Sequence, residues 1–281
     1  MIELSANRYG KAAIRLVRVD RDATPHRVRD LTIAIALEGD FAAAHTDGDN
    51  ANVIATDTMK NTAYAFGVEH LTGSIEAYAA ALASHFLGFG QVARATVNVR
   101  EHVWRSIDVA GAPATDALVR SGEGTRLATV AATRGEITVE AGVEDLVVMK
   151  TTRSGFTGFP RDRYTTLPGA DDRLMATQVT AVWRYGAPDI DFDATWQAVS
   201  GTLLEVFAEH DSPSVQTSIW IMANAMLERH EEVDEVRMVL PNLHHWLVDL
   251  APFGIDNDRQ VYVATTEPHG LIEATVRRGE V

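Results

Sequence analysis

Not one cysteine occurs in the 281 residues, which excludes disulfides, thiolate nucleophiles and Cys-ligated zinc. Positive charge is also scarce. Lys and Arg number 25 against 39 Asp and Glu, a net charge of −14. That balance argues against broad binding to nucleic acid or to an anionic membrane, both of which need basic surface. An anionic substrate would have to be held by local donors, against the field of the whole chain. No apolar run reaches membrane-spanning length, and the N-terminus lacks the basic-then-apolar layout of a secretory signal. The last residues, Arg278-Gly279-Glu280-Val281, do not form a peroxisomal tripeptide.

What remains is ordinary for a soluble globular chain, with 46% hydrophobic and 23% charged residues. The length predicts two domains of similar size. Ala12–Asp20 reads as a half-exposed strand, and Leu31, Ile33, Ile35 and Leu37 alternate on one face of a second. Residues 39–52 read as a polar turn region. Thr56 is placed as a helix N-cap with Asp57 in the first turn. A second helix starts near Gly73 or Ser74 and runs to Phe86, stopped by Gly88 and Gly90. Strands follow at 92–104 and 126–133, joined through a loop containing Gly111 and Pro113. The second half repeats the layout: strands at 137–150 and 177–185, helices at 193–209 and 214–229, then strands near 236–240, 244–250 and 261–265. Ser212 and Pro213 are read as cap and first helical residue of the later helix. Strand-strand-helix-helix-strand-strand, twice, predicts an α+β fold with antiparallel sheet and helices on one face. The division falls at 1–135 and 136–281.

The stretch from Leu146 to Arg173 carries the chemistry. A strand ends in Lys150-Thr151-Thr152, and a loop holding Ser154, Phe156, Phe159, Tyr164 and Leu167 runs on to Arg173. A long loop without periodicity is usually functional or disordered, and its aromatics argue against disorder. An aromatic face, an aliphatic wall and a guanidinium suit a flat, polar, anionic heterocycle. Elsewhere, a helix N-terminus at Thr56-Asp57 is a natural anion site. Val215 and Gln216, in a helix's first turn, add an N–H and an amide. His244 and His245 invite a metal reading, but neighbours on a strand point to opposite faces and no ligand spacing accompanies them, so no metal is expected. Lys11 by itself reads as a solvated surface lysine.

The spaced order Leu146, Lys150, Thr151, Thr152, Ser154, Phe156, Phe159, Tyr164, Leu167, Arg173 resembles the long signature of urate oxidases. Tyr9-Gly10-Lys11, Ala55-Thr56-Asp57 with Lys60-Asn61, Ser214-Val215-Gln216, and Leu240-Pro241-Asn242 with His244 extend the resemblance over the full length. It implies tandem tunnelling-fold (T-fold) domains and homotetramers with active sites between subunits. It further implies oxidation of urate by dioxygen to 5-hydroxyisourate and peroxide, without cofactor. Lys11, Thr56 and His244 would form a proton relay. Asp57, Phe156, Leu167, Arg173, Val215, Gln216 and Asn242 would bind the purine, with Asn242 holding dioxygen above the ring. The missing peroxisomal address then points to a bacterial cytoplasmic enzyme. One departure stands out: the family often has a His-Ser-Phe run after the third strand, where this chain has Ala114-Thr115-Asp116-Ala117-Leu118. The rival readings are a pterin-acting T-fold enzyme, many of which use zinc with Cys or paired His ligands, and a non-enzymatic purine-binding protein.

Overall fold

The computed structural model describes residues 2–187 and 190–279. The chain forms two compact units, Met1–Gly142 with Arg184–Trp196, and Val143–Trp183 with Gln197–Val281.

The first unit opens with β1 (Tyr9–Asp20) and β2 (Arg27–Gly39), paired antiparallel. The alternation in β2 has the expected result: Leu31, Ile33, Ile35 and Leu37 are all buried, because every second strand side chain faces the same side. The polar segment after β2 is not turn throughout. A short helix, α1 (Ala42–Thr46), forms beside the buried ring of Phe41. Helix α2 (Thr56–Glu69) begins one residue earlier than a Thr56 cap would require. Ala55 occupies the cap position with no side-chain acceptor, and Thr56 is the first helical residue. Helix α3 (Ile75–Leu87) starts where expected, and Ser74 caps it, its hydroxyl accepting the Ala77 N–H at 3.1 Å. Its buried residues Ile75, Tyr78, Ala79, Leu82, Ala83 and Phe86 recur three and four apart, giving one apolar stripe.

That stripe packs against β3 (Val92–Glu101) and, further along the chain, a strand whose Ala128, Val130 and Ala132 are buried. Between them, the expected loop around Gly111 and Pro113 is instead a separate hairpin, β4 (Trp104–Val109) with β5 (Ala112–Arg120). Ala110 and Gly111 both have positive φ, the requirement of a tight two-residue hairpin turn. Pro113 is tolerated because this ribbon has only two strands, each with a free edge. The Ala114–Leu118 departure lies on β5, where the Thr115 carbonyl accepts the His26 N–H at 2.7 Å. Strand β6 (Thr125–Thr133) then returns, giving the order β1-β2-β3-β6, with β7 (Ile137–Lys150) next to β6.

The second unit contains part of β7 and of β8 (Met175–Tyr185), most of α4 (Phe192–Glu209), α5 (Val215–Arg229) and β9 (Val233–Leu247). Ser214, not Ser212, caps α5, its hydroxyl accepting the Thr217 N–H at 3.1 Å. Ser212 is buried two residues earlier, bridged to Ser154 and bonded to the Ser218 hydroxyl at 2.8 Å. Pro241 does not divide β9 into two strands. It pairs with Leu271, and its carbonyl accepts the Thr177 hydroxyl at 2.8 Å. Strand β10 (Tyr262–Thr265) pairs with the far end of β9, and β11 (Leu271–Arg277), which no periodicity announces, pairs with the near end. Helix α5 covers β9 and β11 through Ile219, Met222 and Met226. Truncating one such residue to Ala costs about 2–5 kcal/mol. The element order is therefore ββααββ twice, with α1, the β4–β5 hairpin and β10 added.

Candidate active site

In the first unit the N-terminus of α2 is tied to the start of β1. The Tyr9 hydroxyl accepts the Ile54 N–H at 2.8 Å and donates to the Ile54 carbonyl at 3.2 Å. Burial raises the Tyr9 pKa, so the phenol stays protonated and can do both. Lys11 follows two residues on, half-buried and paired with Ile35. Immediately after it β1 bulges: Ala12 and Ala13 stand opposite the single position between Ile33 and Ile35, and Ala13 has φ 56°. A bulge bends its strand and re-aims the neighbouring side chains.

Across that junction stand the half-buried Thr56 and the exposed Asp57, whose backbone N–H groups belong to the first turn of α2 and have no acceptor within the helix. The Asp57 carboxylate is bonded to the Lys60 ammonium and, at 2.9 Å, to the Asn61 amide. The Lys60 bond chiefly holds Asp57 below the ordinary carboxylate range, and Lys11 adds to the effect through its charge. Lys11, Thr56 and Asp57 thus share one corner of the first unit.

The second unit carries a cavity of about 450 Å³, the size of a small-ligand pocket. Phe156, Leu167, Arg173, Asn242 and His244 all line it. Two loop segments build one wall. Phe156 and Ala170 exchange backbone hydrogen bonds at 2.7 and 3.0 Å, and the Arg173 N–H donates to the Ser154 carbonyl at 2.6 Å. The guanidinium of Arg173 lies 5.3 Å from the Phe156 ring centre, and the Phe159 ring stacks with Phe156 at 4.8 Å. Arg173 Nε is buried with no hydrogen-bond partner. Burial lowers the Arg173 pKa, yet an arginine remains charged at any ordinary pH. A half-buried cation whose Nε has no hydrogen-bond partner favours an anionic ligand.

Strand β9 supplies the opposite wall. Asn242, His244 and Trp246 are two apart and share a face. The Asn242 N–H is held by the Gly270 carbonyl at 2.8 Å, and the His244 ring stacks on Trp246 at 5.3 Å. Burial first, then the charge of Arg173, lowers the His244 pKa, so its imidazole is neutral at neutral pH. Such a ring can accept a proton.

Val215 and Gln216 sit in the first turn of α5, buried and exposed respectively, and neither is on the cavity lining. Lys11, Thr56 and Asp57 belong to the other unit. Trp246, Arg259 and Tyr262 line the cavity without any signal in the sequence; the segment around Arg259 has no periodicity. His245 borders it too, with Nδ1 2.9 Å from the Leu243 carbonyl. Among the described residues no group of three or more His, Asp or Glu could hold a metal ion, and no helix is long and apolar enough to cross a membrane.

A protein-family model described as Uricase matches residues 7–131 and 139–273. The uricase of Arthrobacter globiformis is 44% identical over 278 residues, spanning 99% of this chain and 90% of that protein. Its crystal structure superposes with a TM-score of 0.94, covering 99% and 96% of the two chains. The uricase of Dictyostelium discoideum is 36% identical over 99% of this chain and 98% of its own length. A urate oxidase structure from Bacillus sp. TB-90, at 21% identity, shares the fold, with a TM-score of 0.85 over 97% and 100%.

Proposed function

We propose a reaction course for this chain, which belongs to the uricase family and is an oxidoreductase that acts on urate with dioxygen. The observation that carries the proposal is the second-unit cavity, where a half-buried guanidinium with an unbonded Nε, a ring face and a neutral imidazole converge. Arg173 grips the carbonyl oxygens of the pyrimidine-dione side of urate. Phe156 stacks on the purine, and Leu167 closes its edge. Val215 and Gln216 add an N–H and an amide at the start of α5. Asn242 holds dioxygen, and later peroxide, above the ring.

Lys11, Thr56 and Asp57 come from a second copy of the chain, so each reaction site spans two subunits of a homotetramer built from T-fold halves at 1–135 and 136–281. The helix N-terminus at Thr56-Asp57 takes the imidazole side of the purine. Lys11 lowers the proton affinity of the Thr56 hydroxyl, as a cation does for any group that becomes anionic. Protons leave urate through Thr56, Lys11 and His244.

No cofactor is needed, because a urate dianion is electron-rich enough to give one electron to dioxygen. The two radicals combine at the ring carbon, and a proton returned by the relay makes the product a hydroperoxide. Loss of hydrogen peroxide and addition of water then give 5-hydroxyisourate. The protein deprotonates, orients and desolvates. A cytoplasmic location fits this chemistry.

The test incubates metal-stripped protein with urate in air while following urate absorbance, oxygen uptake and peroxide. Equimolar urate loss, oxygen uptake and peroxide release are expected. Oxidation abolished by a chelator would overturn the cofactor-free course.

A further inference from the structure

Asp172, next to the substrate-gripping Arg173, is the meeting point of three donors from two distant segments. Its carboxylate accepts the Thr152 hydroxyl at 3.0 Å, the Ser154 N–H at 3.4 Å and the Arg259 guanidinium at 3.2 Å. The same Arg259 nitrogen also donates to the Asp172 carbonyl at 3.1 Å. Ser154 is thus held twice, by the Asp172 side chain through its N–H and by the Arg173 N–H through its carbonyl. Asp172 and Arg259 both border the cavity.

Both segments that supply these donors include a residue in a costly conformation. Arg153, between Thr152 and Ser154, and Arg259 are non-glycine residues in the left-handed region, at φ 59° and 55°. Such backbones persist only where surrounding contacts over-determine them, and they cluster at ligand sites. Around Arg259 those contacts are visible. Asn257 donates to the Val248 and Val261 carbonyls, both at 2.8 Å, and accepts the Gln260 and Val261 N–H groups at 3.1 and 2.9 Å. These bonds make the loop a strut, and Arg259 extends from it.

We infer that Asp172 and Arg259 form a brace that positions Arg173 for the substrate: the strut before β10 fixes Asp172, and Asp172 fixes the loop segment to which the Arg173 backbone is bonded. The brace also serves charge placement. With its own cation satisfied by Asp172, Arg259 does not compete with Arg173 for the ligand. The pair is half-exposed, so its worth is geometric rather than energetic. Neither residue touches the reacting atoms; both are positioning residues. This role rests on the proposed function of Arg173.

The experiment compares wild type, Asp172→Asn, Arg259→Gln and the double variant in steady-state urate oxidation and in residue-resolved amide hydrogen exchange. Each single variant is expected to raise KM roughly fivefold while kcat falls far less. The double variant should be no worse than the poorer single. Exchange at the Arg173 and Phe156 amides should quicken in all three variants, while buried β9 amides hold. Unchanged KM and exchange, KM effects that multiply in the double variant, or kcat falling as steeply as KM rises would each overturn the brace. A wild-type protein that fails to oxidise urate would overturn the proposed function and the brace's role in it. The exchange at Arg173 would still decide whether the brace itself exists.

Discussion

The Tyr9 hydroxyl is donor to one atom of Ile54 and acceptor from another, so a single side chain fastens the first strand to the approach of helix α2. The bond pair fixes where Lys11 stands relative to Thr56. Tyr9→Phe removes both bonds and leaves the peptide groups of Ile54 without these partners, at a cost of about 1 kcal/mol each. The expected outcome is a modest loss of stability in urea and a larger loss in kcat, because the partners of the proposed relay drift apart. A variant with unaltered kcat would show that the junction merely joins two elements.

Lys11→Met should abolish most turnover and leave binding of a purine analogue near the wild-type value. The charge is removed while the aliphatic stem is kept. Unimpaired turnover would contradict a relay through this lysine.

Arg173→Ala should act in the opposite way, weakening analogue affinity by roughly 10- to 100-fold, the range for a charge-assisted bidentate contact of about 1.5–3 kcal/mol. Calorimetric titration of both variants with the same analogue separates the two roles. Equal affinity in the Arg173 variant would remove it from the site.

In the proposed relay, His244 sets the acid limb of the rate profile. Burial and Arg173 disfavour its imidazolium, so its pKa in the fold lies below the ordinary histidine value. The neutral, proton-accepting form therefore survives to lower pH than a free histidine would, and kcat/KM should fall only as pH drops through that depressed value. Stability carries the same sign. The unfolded chain takes up this proton first, so the folded state loses stability as pH falls below the unfolded pKa, until the folded pKa is passed. In His244→Asn the acid limb should vanish from the residual rate; a limb that persists unshifted would belong to another group.

The first unit also contains a charge cluster with a predictable cost. Glu76 is fully buried and bonds Arg126 at 2.7 Å, and Arg126 in turn bonds Asp193 at 2.6 Å and lies 5.0 Å from the Trp196 ring centre. Glu76→Ala strips a partner from a buried cation, a change that costs about 3–5 kcal/mol. Urea unfolding should register it. A loss under 1 kcal/mol would mean that Asp193 and Glu101, whose carboxylate lies 4.0 Å away, suffice to neutralise Arg126.

How far these features could be read in the residues depends on burial. Strand β2 and the Ser74-capped α3 are legible because one face of each is dry, which forces a regular spacing of apolar side chains. The β4–β5 hairpin and β11 are largely wet, so nothing forces alternation, and the Ala110-Gly111 turn lacks the usual asparagine or aspartate. Pro241 reads as a break, yet the strand continues through it because a missing N–H costs little where the carbonyl is still used. The Ser212 and Thr56 caps fail for one reason: several residues near each helix start can cap, and tertiary bonds decide among them. Within the cavity, Phe156, Leu167 and Arg173 are close in sequence and stand out together. Arg259 meets Asp172 across 87 positions, a pairing that spacing cannot announce.

Gly10 has a practical consequence for anyone redesigning this protein. A methyl group there would stand 1.9 Å from the Ile35 carbonyl oxygen, and that oxygen is backbone and has nowhere to go. Even alanine would prise apart the two leading strands and carry the adjoining lysine with them. Mutant libraries should hold that codon constant, and a clone altered there should turn up folded yet idle, or not at all.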